Sequence, residues 1–183
     1  MTTYYKFTNG DRPTHGEGWY PTRKDGTTLS TAWLPPHRPE LCYSGWHVTT
    51  APYLPHHIGA DLYVCEVRGD AEYGYNKSVH AQLRFRTKVA AWDLQAIRDF
   101  AQDAYATADA YGTYTADRRA VYAAYPATKA AAYALKASSA AIYSSYPSYS
   151  PVYDANKAPI ARNAERKRQS QWIIDRCNLQ ETL

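Results

Sequence analysis

The sequence predicts an α+β protein: a small N-terminal antiparallel β-sheet module over residues 1–90, then a helical, Ala/Tyr-rich C-terminal region over 91–183. Three observations carry the prediction. Turn-forming clusters, "NGDRP", "KDGTT", "LPPHRPE", "TAPYLP" and "RGDAEYG", punctuate the first half. The runs between them are short and rich in β-branched and aromatic residues, as strands are. After residue 92 the apolar spacing changes to three and four, the period of an amphipathic helix.

Each element follows in order. "TYYKFT" at 3–8, "WHVTT" at 46–50, "DLYVCEVRG" at 61–69 and "SVHAQLRFRT" at 78–87 read as strands. In the last of these Val79, Ala81, Leu83 and Phe85 point one way and His80, Gln82, Arg84 and Arg86 the other, whereas in 62–67 Leu62, Val64, Cys65 and Val67 compete for the inner face. A first helix is predicted over about 93–111, with Asp93 as N-cap, Gly112 as its stop and Leu94, Ile97, Ala101 and Ala104 or Tyr105 on one face. A second, over about 116–143, is capped by Thr115, strained by Pro126 and marked by Tyr122 and Tyr133 eleven residues apart, three helical turns. The linker 144–159 carries three prolines and leads to a third helix over about 160–177, whose mixed face holds Ile160, Ala164, Gln171 or Trp172 and Ile174 or Asp175.

Composition narrows the function classes. Tyrosine supplies 18 of 183 residues against 3 Phe and 1 Met, so part of the ring area must line a surface where its hydroxyls meet partners or water. The formal charge of +4 makes no global case for nucleic acid, and only a local patch would. Cys42, Cys65 and Cys177 form neither a CxxC pair nor a disulfide framework, which favours free thiols in a reducing compartment. With no leader pattern at the N-terminus and no run approaching the ~20 apolar residues of a membrane span, the expected setting is the cytoplasm, away from membranes.

The stretch "LCYSGWHVTTAPYLPHH", 41–57, is where chemistry would sit. Cys42, His47, His56 and His57 are zinc-ligand types, but their spacing lacks the close pairs of a structural zinc site, so no metal is expected. Cys42 and His47 as a nucleophile and base need a third member that the sequence does not offer. The simplest reading is a turn allowed by Gly45, with Trp46 packed inward, His47 hydrogen-bonded to a backbone carbonyl and Pro52 and Pro55 stiffening the exit.

From residue 4 to 88 the chain resembles a bacterial and bacteriophage domain family of unknown function. The residues that carry the likeness are Tyr5, Lys6 and Phe7; Cys42, Gly45, Trp46 and His47 in C-x-x-G-W-H; Glu66, Val67 and Gly69 in E-V-x-G; and Lys77, Ser78 and Val79 in K-S-V. His80 stands where the family usually has alanine. The Ala-rich, Tyr-spotted tail ending in "ARNAERKRQSQWIIDR" is similar to helical segments of actinophage accessory proteins. These likenesses imply an accessory protein and no cofactor. A fainter likeness, to ADP-ribosyltransferase folds, implies the alternative of a nucleotide-dependent transferase using NAD. His47 would then hold the ribose, Tyr53 or Tyr63 stack on nicotinamide, and Glu66 serve as the catalytic carboxylate.

As a binding protein, the chain offers Trp46, His47, Tyr53, Tyr63 and Lys77 around the central stretch. Basic residues offer a phosphate-facing surface in two places: Arg84 and Arg86 on one strand face, and Arg162, Arg166, Lys167 and Arg168 on the last helix. The partner classes expected are a host or virion protein, a second copy of the chain, or nucleic acid, with tyrosines as anchors or stacking platforms.

Overall fold

A computed structural model describes residues 2–14, 18–23, 29–110, 131, 133, 134, 136, 137 and 151–179. It divides into two compact units, 1–93 together with the chain's end from Ile174, and 94–173. The predicted 116–143 helix lies outside the described residues except for those among 131–137, which are helical.

The first unit is a five-stranded antiparallel sheet: β1 (Tyr4–Asn9), β2 (Arg12–Pro13), β3 (Trp46–Val48), β4 (Asp61–Tyr73) and β5 (Ser78–Lys88), in the order β2-β1-β4-β5-β3. The sheet curls until its edges meet, because Tyr5 and Thr49 exchange both backbone hydrogen bonds at 2.8 and 2.9 Å. That pair is an isolated bridge, so β1 and β3 part on either side of it. Closure of this kind removes exposed strand edges. Further along β5, the segment after Trp33 covers its free edge, Leu34 and His37 donating backbone N–H groups to Leu83 and Ala81.

β4 is longer than its apolar pattern predicts. Turn residues Gly69 and Asp70 sit in a register shift between Arg68 and Ala71, with Gly69 at φ 79°, so a bulge absorbs what reads as a turn and pairing resumes to Tyr73. Tyr63, Cys65, Leu83 and Phe85 form the core with Tyr20, Leu29, Leu34 and Val48. His80, expected on the outer face, is buried, its Nε2 2.9 Å from Ser78 Oγ and its ring edge-on to Tyr4 and Tyr73. A satisfied imidazole with aromatic neighbours tolerates burial that alternation alone does not anticipate.

A 3-10 helix, Ala51–His56, follows β3 with Pro at its start, where the missing N–H is harmless. Trp92 closes the unit, edge-on to Phe7 at 5.3 Å and donating its indole N–H to Gly59 O at 3.0 Å.

In the second unit, α1 (Leu94–Ala110) buries Ile97, Ala101, Ala104 and Tyr105 as its spacing predicts, with Ala96, Phe100 and Ala108 completing the stripe, while Leu94 is exposed. α2 (Pro151–Cys177) begins earlier than expected and runs through Pro159. Proline is well tolerated at a helix start, and the strong helix formers after Pro159, Ala161, Arg162, Ala164, Glu165, Arg166, Lys167 and Arg168, sustain the helix beyond it. Its inward stripe agrees only in part: Ile174 is buried and Trp172 stands edge-on to Phe100 as expected, but Ile160, Ala164 and Gln171 are exposed, and Glu165, Gln169, Ser170 and Ile173 are buried. The buried polar groups bond one another, Gln169 Nε2 donating to Glu165 Oε1 at 2.7 Å, so a stripe invisible to apolar periodicity still packs.

Candidate functional site

The 40–47 segment is a folded turn built on two residues with positive φ. Glu40 and Ser44 exchange backbone hydrogen bonds at 3.0 Å, Cys42 adopts φ 72° and Gly45 φ 93°. His47 Nε2 accepts the backbone N–H of Cys42 at 3.1 Å, which requires a neutral imidazole carrying its proton on Nδ1. Burial, then the charges of Lys77 and Lys6, pull His47 down to about 4 against an opposing hydrogen bond that the imidazole donates to the Gly45 carbonyl, so it is neutral at physiological pH. Trp46 is held by its indole N–H on Pro35 O at 2.9 Å and by the rings of His37 and Tyr20.

This turn forms one side of a cleft of about 620 Å³. β1 contributes Lys6, whose position follows from strand alternation. Tyr5 and Phe7 beside it are each 2% exposed on one side of the strand, so Lys6 projects to the other. There its Nζ donates to His47 O at 2.6 Å and lies 5.7 Å from the centroid of Tyr20. The contact spans the opening where β1 and β3 part. Burial, with the Lys77 charge adding and Cys65 opposing, pulls Lys6 down to about 8.

Lys77 lines the same cleft at the end of the β4–β5 turn. Among the described residues its ammonium has no carboxylate partner, and no Asp or Glu lines the cleft. The turn is fixed in place: Gly74 N–H donates to Lys77 O at 2.8 Å, and Asn76 O accepts from Thr49 Oγ1 at 2.8 Å and faces His57 Nε2 at 3.3 Å. Two rings lining the cleft stand open to solvent, Trp19 at 65% and Tyr43 at 84% exposure, and Arg12 lies 4.0 Å over the Trp19 ring.

Of the residues singled out in the sequence, the cleft gathers Trp46, His47 and Lys77, along with Cys42, His56 and His57. Tyr63 is elsewhere, in the core against Phe85, and Tyr53, in the 3-10 helix, packs against Tyr75. Glu66 is not brought to His47. It is clamped by Arg84, whose Nε donates at 2.6 Å, and by Arg86 at 3.2 Å, and it does not line the cleft. That pairing also occupies Arg84 and Arg86 with a carboxylate.

On α2 the basic stripe breaks up. Arg168 bonds Asp103 Oδ1 and Oδ2 at 3.1 and 2.6 Å and Glu165 Oε2 at 2.8 Å. Arg166 is half-buried with Nε and Nη1 lacking a hydrogen-bond partner, and burial followed by the Arg162 charge pulls it down to about 10. Arg162 and Lys167 are exposed.

No three His, Cys, Asp or Glu side chains converge as a metal site among the described residues. All three cysteines are free thiols; burial raises Cys65 to about 12 and Cys177 to about 11, which keeps both protonated and unreactive. No helix of the described residues is long and apolar enough to cross a membrane.

Sequence reasoning missed Lys6, Trp19 and Tyr20 as parts of the site. A signal for Lys6 was present in "YYKFT", where a lysine alternates with two core aromatics inside a strand. No protein-family model, curated protein or solved structure matches the chain.

Proposed function

We propose that the β-sheet unit is a non-catalytic binding module whose cleft takes an anionic, phosphate-bearing ligand. The observation that carries this reading is the Lys6 ammonium, held in a partly dry cleft by a carbonyl oxygen instead of a carboxylate, with the Lys77 charge in the same cleft. Two like charges sharing a desolvated site oppose folding, and an anion between them relieves both the repulsion and the missing counter-charge. Perturbed ionisable groups in a cleft are the usual mark of a functional site.

Binding rather than catalysis is supported by the state of the remaining groups. His47 has its Nε2 occupied by a backbone N–H, and the Glu66 of a transferase-like reading is neutralised by two arginines away from the cleft. In this reading the chain acts in the cytoplasm of a bacterial host as an accessory factor of the phage type its sequence pattern resembles.

Calorimetric titration with inorganic phosphate and with a nucleoside monophosphate tests the reading. Saturable binding is expected, weakened at least about tenfold by Lys6→Met, a loss of about 1.4 kcal/mol. Absence of heat up to about 10 mM ligand, or binding indifferent to Lys6→Met, defeats it.

A further inference from the structure

We infer that the ligand of this cleft is a single-stranded nucleic acid, with phosphates taken by Lys6 and Lys77 and bases stacked on the exposed rings of Trp19, Tyr43 and Tyr75. The inference rests on the anion-binding reading above and names the class of anion.

Rings and charges are arranged together here. Trp19 and Tyr43 line the cleft itself and are 65% and 84% exposed. From the His57 and His56 rings, which also line it, a run of ring contacts leads outward: His57 to His56 at 6.3 Å, His56 to Tyr53 at 6.3 Å and Tyr53 to Tyr75 at 5.6 Å. Tyr75 at the end of the run is 77% exposed and lies two residues before Lys77. Its turn is tied down by the Asn76 carbonyl and, through Leu41 N–H on Glu72 Oε2 at 2.9 Å, to the 40–47 turn. The exposed ring is therefore presented on fixed backbone, next to a cation.

Large exposed aromatic rings beside ammonium groups that no described carboxylate neutralises match one ligand chemistry better than others. A single strand offers a phosphate every nucleotide and a free π-face on every base. A duplex hides those faces in its own stack, and a cleft of about 620 Å³ is of small-ligand size. An acidic peptide offers the charge without the planar faces. Stacking of this kind accepts any base, so little sequence preference is expected.

The test uses fluorescence anisotropy with labelled oligothymidylates of increasing length and a duplex of matching length, beside the calorimetric mononucleotide titration. The expected result is strand affinity at least about tenfold above both mononucleotide and duplex, falling steeply with added salt. Tyr75→Ala is expected to weaken strand binding about fivefold or more. Tyr73→Ala, an equally exposed ring outside the run, serves as control and is expected to bind the strand as wild type does. Lys6→Met-sensitive binding of the mononucleotide with no gain from length overturns this inference and leaves the anion site standing. Preference for duplex, or an equal loss from Tyr73→Ala, also overturns it, and no binding of strand or mononucleotide removes both proposals.

Discussion

Lys6 holds its charge among the Tyr20 ring, the Cys65 thiol and the His47 carbonyl, where two effects oppose each other. A hydrogen bond from a charged donor typically contributes about 1.5–3 kcal/mol, while removing an ammonium from water costs several. The downward shift to about 8 shows that desolvation wins, since it is the largest cause acting on the group. A lysine whose folded value lies below its ordinary 10.5 binds fewer protons than it does unfolded between those limits, so stability rises with pH across about 8 to 10.5 and the charged form burdens the fold at neutral pH. Lys6→Met keeps the length and apolar stem and removes the charge. It is expected to raise stability at pH 7 by about 1 kcal/mol, discounted for the residue's partial exposure and for the hydrogen bond lost with the charge. Chemical denaturation checks this: the midpoint should rise with an unchanged slope, and a falling midpoint would make Lys6 a structural tether instead of a site group.

The turn that carries Trp46 and His47 shows how an element positions the site. Gly45 sits at φ 93°, and a Cβ there would meet Val79 Cγ2 at 2.7 Å, the Pro39 Cα at 3.1 Å and His80 O at 3.2 Å. Two of those three neighbours are backbone atoms, which cannot swing aside as a side chain end does. Gly45→Ala is therefore expected to cost about 2–4 kcal/mol, combining strain at positive φ with overpacking, and a thermal melt within about 2 °C of wild type would refute the argument. At this scale much was legible in the sequence. Turn clusters and alternation located β1, β4 and β5, and C-x-x-G-W-H reads correctly as a turn because its glycine has to be there. What was hidden has definite causes. The β4 bulge turns "RGD" from a stop into a continuation. The buried stripe of α2 mixes Glu165, Gln169 and Ser170 with Ile173, Ile174 and Cys177, so hydropathy finds only its C-terminal part. Lys6 reaches His47 across 41 residues of chain, and a lysine read alone defaults to solvent.

For the whole molecule, the two perturbed groups of the cleft set opposite limits in pH. His47 is held neutral in the fold, down to about 4 from 6.5, so the unfolded chain takes up its proton first as pH falls. The stability this contributes is complete above pH 6.5 and is lost between there and about 4, amounting to about 1 kcal/mol once discounted for half-exposure. Protonation also makes Nε2 a donor facing the Cys42 N–H, which opens the turn that walls the cleft. On the alkaline side Lys6 loses its charge near pH 8, and an anion then loses one of its two cations. Ligand affinity is thus expected to hold from about pH 5 to 8, decline above 8 through lost charge and decline near 4, where the folded His47 takes up its proton and the turn opens. Lys6→Arg separates the two limits, because guanidinium stays charged throughout. Affinity measured from about pH 3.5 to 9.5 should keep its acid decline and lose its alkaline one in that variant, whereas an alkaline decline that survives would assign the charge to a group other than Lys6.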